Sequence, residues 1–177
     1  MGRLNDIKLA TRVAVLQDRR AFDQLVREYQ SPVRRFLLSQ TLGNETLTDD
    51  LAQETFLKAY THISQYRGTS SMLTWLTRIA YNVFYDYKRS ERVKVDSVAA
   101  AGNAGFTVQP ALKSDLYTAL ATLRDEERTC VTLQLIDGYA IAEIAGMTGM
   151  AQNTVKSHLK RGKEKLANYL RQNGYDR

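Results

Sequence analysis

Apolar residues recur at spacings of three and four along this 177-residue chain, and only two prolines and ten glycines interrupt them. That is the period of an amphipathic helix; strand alternation is nowhere sustained. The chain is therefore expected to be all-α. One stretch departs from the pattern: 96–112 contains no Lys or Arg, is rich in Ala, Gly, Val and Ser, and carries Gly102, Gly105 and Pro110. It reads as a flexible linker, leaving two small helical domains, 1–95 and 113–177.

Within 1–95 the first helix is expected over Asp6 to Leu16. A second carries the stripe Phe22, Leu25, Val26 and Tyr29 as far as Ser31-Pro32, where a cap followed by a first-turn proline predicts a break or kink. Thr48, followed by Asp49 and Asp50, reads as the start of the next helix, with carboxylates at the positive end of its dipole. After a loop closed by Gly68, a long helix is expected from Ser70 to about Arg92, with Met72, Leu76, Ile79, Val83 and Tyr87 on its buried side.

The opposite side of that long helix bears Thr74, Arg78, Tyr81, Tyr85, Lys88 and Arg89. Eight of the sixteen aromatic residues lie between Phe56 and Tyr87, so the enrichment is local. Outward tyrosines interleaved with cations suit single-stranded nucleic acid, because unstacked bases lie on the rings while the cations follow the phosphates. A duplex stacking step is worth roughly 1.4 kcal/mol and a base stacked on an aromatic ring recovers about 1–3 kcal/mol. Two or three such rings offset the opening of a few base pairs. Trp75, Phe84 and Tyr87, on or beside the apolar stripe, read instead as packing.

The formal net charge is +6, a balance suited to polyanions. It is uneven: 113–150 holds 3 basic and 6 acidic residues, whereas 151–177 holds 7 and 2. In the second domain Leu112, Leu116, Leu120 and Leu123 mark one helix. Asp125 opens another, with Val131, Leu135 and Ile136 apolar before Gly138. The stretch Ile141 to Met147, the turn Thr148-Gly149-Met150 and a last helix from Ala151 form a helix-turn-helix. Val155, Leu159 and Leu166 face inward, with Gly162 where two backbones approach. Asn153, Lys156, Ser157, Lys160 and Arg161 face outward, the side-chain types with which a recognition helix reads a major groove.

Between Arg35 and Lys58 there is no basic residue, while Glu45, Asp49, Asp50 and Glu54 are acidic. On composition alone this is either a dipole-matched helix start or a protein-docking surface. The histidines, His62 and His158, form no ligand pattern with these carboxylates, so no metal or other cofactor is expected. The single cysteine, Cys130, excludes an internal disulfide and reads as packing. A reducing, cytoplasmic setting is expected, and neither an export signal nor a membrane span is apparent.

Three strings, in this order, resemble the extracytoplasmic-function (ECF) sigma factors of bacterial RNA polymerase over nearly the whole chain. They are Asp50-Leu51-Ala52-Gln53-Glu54-Thr55-Phe56-Leu57-Lys58-Ala59-Tyr60, Thr74-Trp75-Leu76-Thr77-Arg78-Ile79-Ala80-Tyr81-Asn82, and Glu143-Ile144-Ala145 with Thr154-Val155-Lys156-Ser157. The resemblance implies that Asp49, Asp50, Gln53 and Glu54 dock on the clamp helices of the polymerase's largest subunit. It implies that Arg67, Ser70, Arg78, Tyr81, Asn82, Tyr85, Lys88 and Arg89 hold the proximal promoter element as a single strand. Asn153, Thr154, Lys156, Ser157, Lys160 and Arg161 would read the distal element as duplex, and the linker would thread toward the active-site channel. Core polymerase, promoter DNA and an anti-sigma factor are the partners it suggests. Where relatives often carry Ser or Thr as a cap before the helix-turn-helix, this chain has Ala140, forgoing about 0.5–2 kcal/mol.

The rival reading is a stand-alone helix-turn-helix regulator, binding palindromic half-sites as a dimer. It leaves the tyrosine-cation face and the acidic patch without a use. An enzyme is not expected, since the chain has no phosphate-binding glycine loop and no nucleophile-base set.

Overall fold

The computed structural model describes residues 2–100 and 115–174. Four helices form the first part: α1 (Arg3–Leu16), α2 (Arg19–Gln40), α3 (Glu45–Thr61) and α4 (Met72–Ala100). Four more form the second: α5 (Asp115–Ala121), α6 (Asp125–Val131), which runs on through a π-helical turn at Thr132–Ile136, α7 (Ile141–Thr148) and α8 (Gln152–Gln172). No strand occurs among the described residues. The expected linker, 96–112, lies outside them beyond Ala100, as does Leu112; α4 itself runs about two turns past the expected Arg92.

The break expected at Ser31-Pro32 is absent, for α2 continues through Pro32. Proline in a helix interior costs about 3 kcal/mol or more. Beyond it, however, Val33, Phe36 and Leu37 are almost completely buried and extend the stripe begun by Leu25 and Tyr29. Burying such side chains contributes roughly 1.5–3 kcal/mol each, and their register survives only if the helix does. The start of α3 also differs from expectation. Asn44, not Thr48, is its cap, accepting from the Leu47 N–H at 3.1 Å. Thr48 lies one turn inside, fully buried, its hydroxyl donating to the Asn44 carbonyl at 2.7 Å and lying 2.6 Å from the Thr41 hydroxyl. Either residue type is a good cap; Asn44 takes the place, and the Thr48 hydroxyl is engaged with Thr41 in the preceding turn.

Helix α1 is fastened across the first bundle by a buried pair: the Tyr29 hydroxyl donates to Asp6 Oδ2 at 2.9 Å. Burial and this carboxylate together push the Tyr29 phenol well above its ordinary value, so it stays a donor. In the second part, Val131, Leu133, Ile144, Met147, Val155 and Leu159 form the core. Leu135 and Ile136, expected inside, are exposed because the π-helical turn rotates them outward.

Helix α8 rests on α6 at two points. Gly162 permits one: a Cβ built there would lie 2.7 Å from Val131 Cγ2. Glu127 makes the other. Only 1% exposed, it accepts from Lys165 Nζ at 2.6 Å and from the Arg124 N–H at 3.1 Å, with Arg161 at 3.5 Å. Burial alone would raise its pKa, but these donors outweigh burial and hold it below the ordinary carboxylate value.

Gly162→Ala is expected to lower the urea midpoint of the second domain. The ~1 kcal/mol gained in helix propensity is outweighed by an overpacking cost of about 1–3 kcal/mol against stiff, buried Val131. Gly146→Ala, with open space at its Cβ, is expected to raise the midpoint instead. Because the Glu127 pKa is depressed on folding, its stabilisation is present at neutral pH and is lost as pH falls through the folded-state value. Glu127→Gln should therefore cost about 1.5–3 kcal/mol near pH 7 and flatten the loss of stability on acidification, read by denaturant unfolding across acid pH.

Candidate nucleic-acid and docking interfaces

The loop between α3 and α4 is held from both ends. Tyr66 is buried against Trp75, ring centroids 5.6 Å apart, and its hydroxyl donates to the Ser70 carbonyl at 3.1 Å. Gly68 has φ +68°, which favours glycine, and a Cβ there would lie 2.6 Å from Ile7 Cδ1. Its carbonyl accepts from the Arg3 guanidinium, the Nε bond being 2.8 Å long. Ser71 then caps α4, its Oγ accepting from the Thr74 N–H at 3.0 Å. The result presents Arg67 to solvent, with Ser70 half-buried beside it.

Along α4, Arg78, Asn82 and Arg89 are exposed. Arg78 and Asn82 line a cleft with Lys58, His62, Ser70 and Thr74, closed on its far side by Tyr139, Glu143 and Met147. Tyr81 and Tyr85 are not on the outward surface expected from the helical wheel. Tyr81 is 8% exposed and Tyr85 half-buried. Their rings lie 4.4 Å apart, and the Tyr85 hydroxyl is 3.5 Å from Thr129 Oγ1 on α6. Burial raises both phenol pKa values. Lys88 turns the same way, with Asp125 at 3.3 Å, and Arg92 reaches that carboxylate at 3.6 Å. A wheel divides α4 into a core side and a solvent side; the structure gives it a third neighbour, the second domain.

Helices α7 and α8 cross through a turn at Gly149, where φ is +74°. Asn153, Thr154, Lys156, Ser157, Lys160 and Arg161 all lie on the exposed side of α8, with Val155 and Leu159 buried beneath them. Arg161 is partly committed, approaching His158 Nδ1 at 3.1 Å besides Glu127. At the start of α7, Ala140 supplies no side-chain cap, yet its N–H donates to Glu143 Oε2 at 2.9 Å, so half of a capping box is retained.

On α3, Asp49, Asp50, Gln53 and Glu54 are exposed together. Asp49 accepts from Arg34 Nε at 2.7 Å and Glu54 pairs with Lys58 at 3.1 Å, leaving Asp50 the most available anion. This face borders an apolar groove between α2 and α3, lined by Phe22, Val26, Phe56, Leu57 and Tyr60, with Leu57 62% exposed. The sequence reading missed the groove; its one signal was Leu57, an apolar residue on the polar side of its helix. Among the described residues there is no cluster of His, Cys, Asp and Glu able to hold a metal, and no helix is long and apolar enough to cross a membrane.

These surfaces have counterparts in known proteins. Residues 25–93 match the model of sigma-70 region 2, and residues 113–166 match that of sigma-70 region 4, so the two matches together span most of the chain. The chain is 32% identical over 161 residues to the ECF RNA polymerase sigma factor SigE of Mycolicibacterium smegmatis, a match over 85% of this chain and 62% of that protein. It is 29% identical over 168 residues to the ECF RNA polymerase sigma-E factor of Escherichia coli, over 85% of this chain and 87% of that one. Among solved structures it resembles the sigma factor RpoE of Bartonella quintana, seen in complex with the anti-sigma factor NepR, with a TM-score of 0.72, 25% identity, and 88% and 98% of the two chains covered. Its fold also resembles that of CnrH in complex with the cytosolic domain of CnrY, with a TM-score of 0.66, 23% identity, and 95% and 96% coverage. With both sigma-70 regions matched in order, and both matched segments helical in the described residues, the chain belongs to the sigma-70 family as an extracytoplasmic-function sigma factor.

Proposed function

We propose that this sigma factor binds core RNA polymerase through α2 and α3, holds the proximal promoter element as a single strand along α4 and the preceding loop, and reads the distal element as duplex with α8. The observation that carries the reading is three chemically distinct surfaces on one chain. One is an acidic face beside an apolar groove, one a loop and helix bearing exposed Arg67, Arg78, Asn82 and Arg89 with Ser70 and Lys88 half-buried and Tyr81 and Tyr85 packed beside α6, and one a polar, cationic recognition helix. The division of labour is that of a non-enzymatic, cytoplasmic initiation factor whose partners are core polymerase and promoter DNA. An anti-sigma factor is a further partner, since the structural relative RpoE was captured with the anti-sigma factor NepR.

Each surface matches the physics of its partner. The acidic face offers charge complementarity, which governs register and association rate, while the groove offers apolar area to an incoming helix. On α8, Lys156, Lys160 and Arg161 meet phosphates and base edges, and Asn153 supplies the bidentate amide with which adenine is recognised. The test is reconstitution with core polymerase, followed by transcription and footprinting on genomic DNA; failure to join the core or to start RNA at defined sites refutes the proposal.

Leu57→Glu, at an exposed position, is expected to abolish co-elution with core polymerase while leaving the thermal unfolding curve unchanged. Lys156→Ala should lower the slope of log K against log salt for the distal element by about 0.9, and an unchanged slope removes that residue from the phosphate contacts. Tyr81→Ala or Tyr85→Ala should impair permanganate-detected promoter opening more than initial duplex binding.

A further inference from the structure

Glu127 is a carboxylate where packing alone calls for none. It lies beneath α8 where that helix comes closest to α6, its Cβ 3.5 Å from the place a Cβ would take at Gly162, and it is 1% exposed. An apolar side chain of similar volume would fill the space without the desolvation that a buried charge carries. Exchanging buried ion pairs for well-packed apolar groups is often neutral or stabilising, so stability does not account for a charge at this position.

The two oxygens of the carboxylate are turned to different uses. Oε2 accepts from the Arg124 N–H at the start of its own helix and from Lys165 Nζ, one turn beyond Arg161. Oε1 faces Arg161 Nε at 3.5 Å. The other side of that guanidinium, Nη2, lies 3.1 Å from His158 Nδ1. Arg161 is thus held along its Nε edge by one group and at Nη2 by another, while its side chain stays 53% exposed on the polar side of α8. A free arginine has many rotamers to lose on meeting DNA, and a planar fork already pointed loses fewer.

We infer that Glu127 is a positioning residue for promoter reading: from beneath α8 it sets the direction of Arg161, so that this guanidinium meets the distal element already ordered. The inference rests on the assignment of α8 as the duplex-reading helix. Removing the charge has two effects of opposite sign. An anion close to a DNA-binding surface repels phosphates, so by Coulomb effects alone its loss tightens binding to every duplex alike. Loss of ordering instead weakens binding where Arg161 makes a specific contact, by about two- to tenfold for one rotamer-rich side chain.

The test joins the full chain to core polymerase and compares two duplexes of one footprinted promoter that differ only in the distal element, native or scrambled. At a temperature where the variant is fully folded, Glu127→Gln is expected to lower the ratio of the two affinities about two- to tenfold, and to lower it no further in an Arg161→Ala background. An unchanged ratio, or a loss that adds in full to that of Arg161→Ala, overturns the positioning role and leaves the proposed function standing. If Glu127→Gln does not fold, Glu127→Met, which keeps the volume and removes the charge, is expected to show the same loss. In the unaltered chain the Arg161 Nε–H should exchange with solvent more slowly than that of exposed Arg67, read by NMR. Equal exchange overturns the hold without any substitution. If Arg161→Ala and Lys156→Ala both leave the ratio unchanged, α8 is not the reader, and that part of the proposed function falls together with the inference.

Discussion

Helix α4 has more surface to cover than a single core can bury. Met72, Leu76, Val83 and Phe84 are taken up by α2 and α3, which fixes the helix in the first bundle. Tyr81 and Tyr85 remain on another side, large rings whose exposure to water is unfavourable. The same α4 is therefore a structural spine and a seat for α6, α7 and their polar side chains, and in the proposed reading it is also a base-stacking platform.

The recognition helix depends on a different kind of support. Its cationic side faces solvent, so self-repulsion among Lys156, Lys160, Arg161 and Lys165 has to be offset from beneath. Glu127 does this as a buried carboxylate reached by two of the four. The close approach at Gly162 lets α8 lie against α6, and the carboxylate ties the two helices through Lys165 and Arg161. Neither residue touches DNA in the proposed reading, yet both govern where the reading surface points.

Helical class, the two bundles and the helix-turn-helix were legible because they rest on periodicity and on glycine at a tight turn, both local properties of a sequence. What escaped was decided by neighbours distant in the chain. Pro32 looked like a break because the value of burying Phe36 and Leu37 is set by the other helices. Thr48 is the local exception: Asn44, one turn earlier, takes the cap, and the Thr48 hydroxyl turns to Thr41 seven residues back. At the candidate sites, the exposure of Arg67, Arg78, Asn82 and the α8 side chains agrees with the helical wheels. The covering of Tyr81 and Tyr85 does not, since a wheel contains no second domain. Hints existed in the acidic start of α6 and in Thr129, Cys130 and Thr132, side chains small enough for a helix to seat closely, but only the tertiary arrangement gives them meaning.

The clip formed by Arg3 and Ile7 over Gly68 joins residues 65 positions apart in the chain and sits on the loop that precedes α4. Glycine at that point leaves the loop free to take many shapes, and α1 selects one of them from behind. In the proposed reading that loop captures promoter bases, which gives α1 a hold on the shape of the capturing surface. Two chains with identical loops but different residues at positions 3 and 7 therefore need not hold those loops in the same shape.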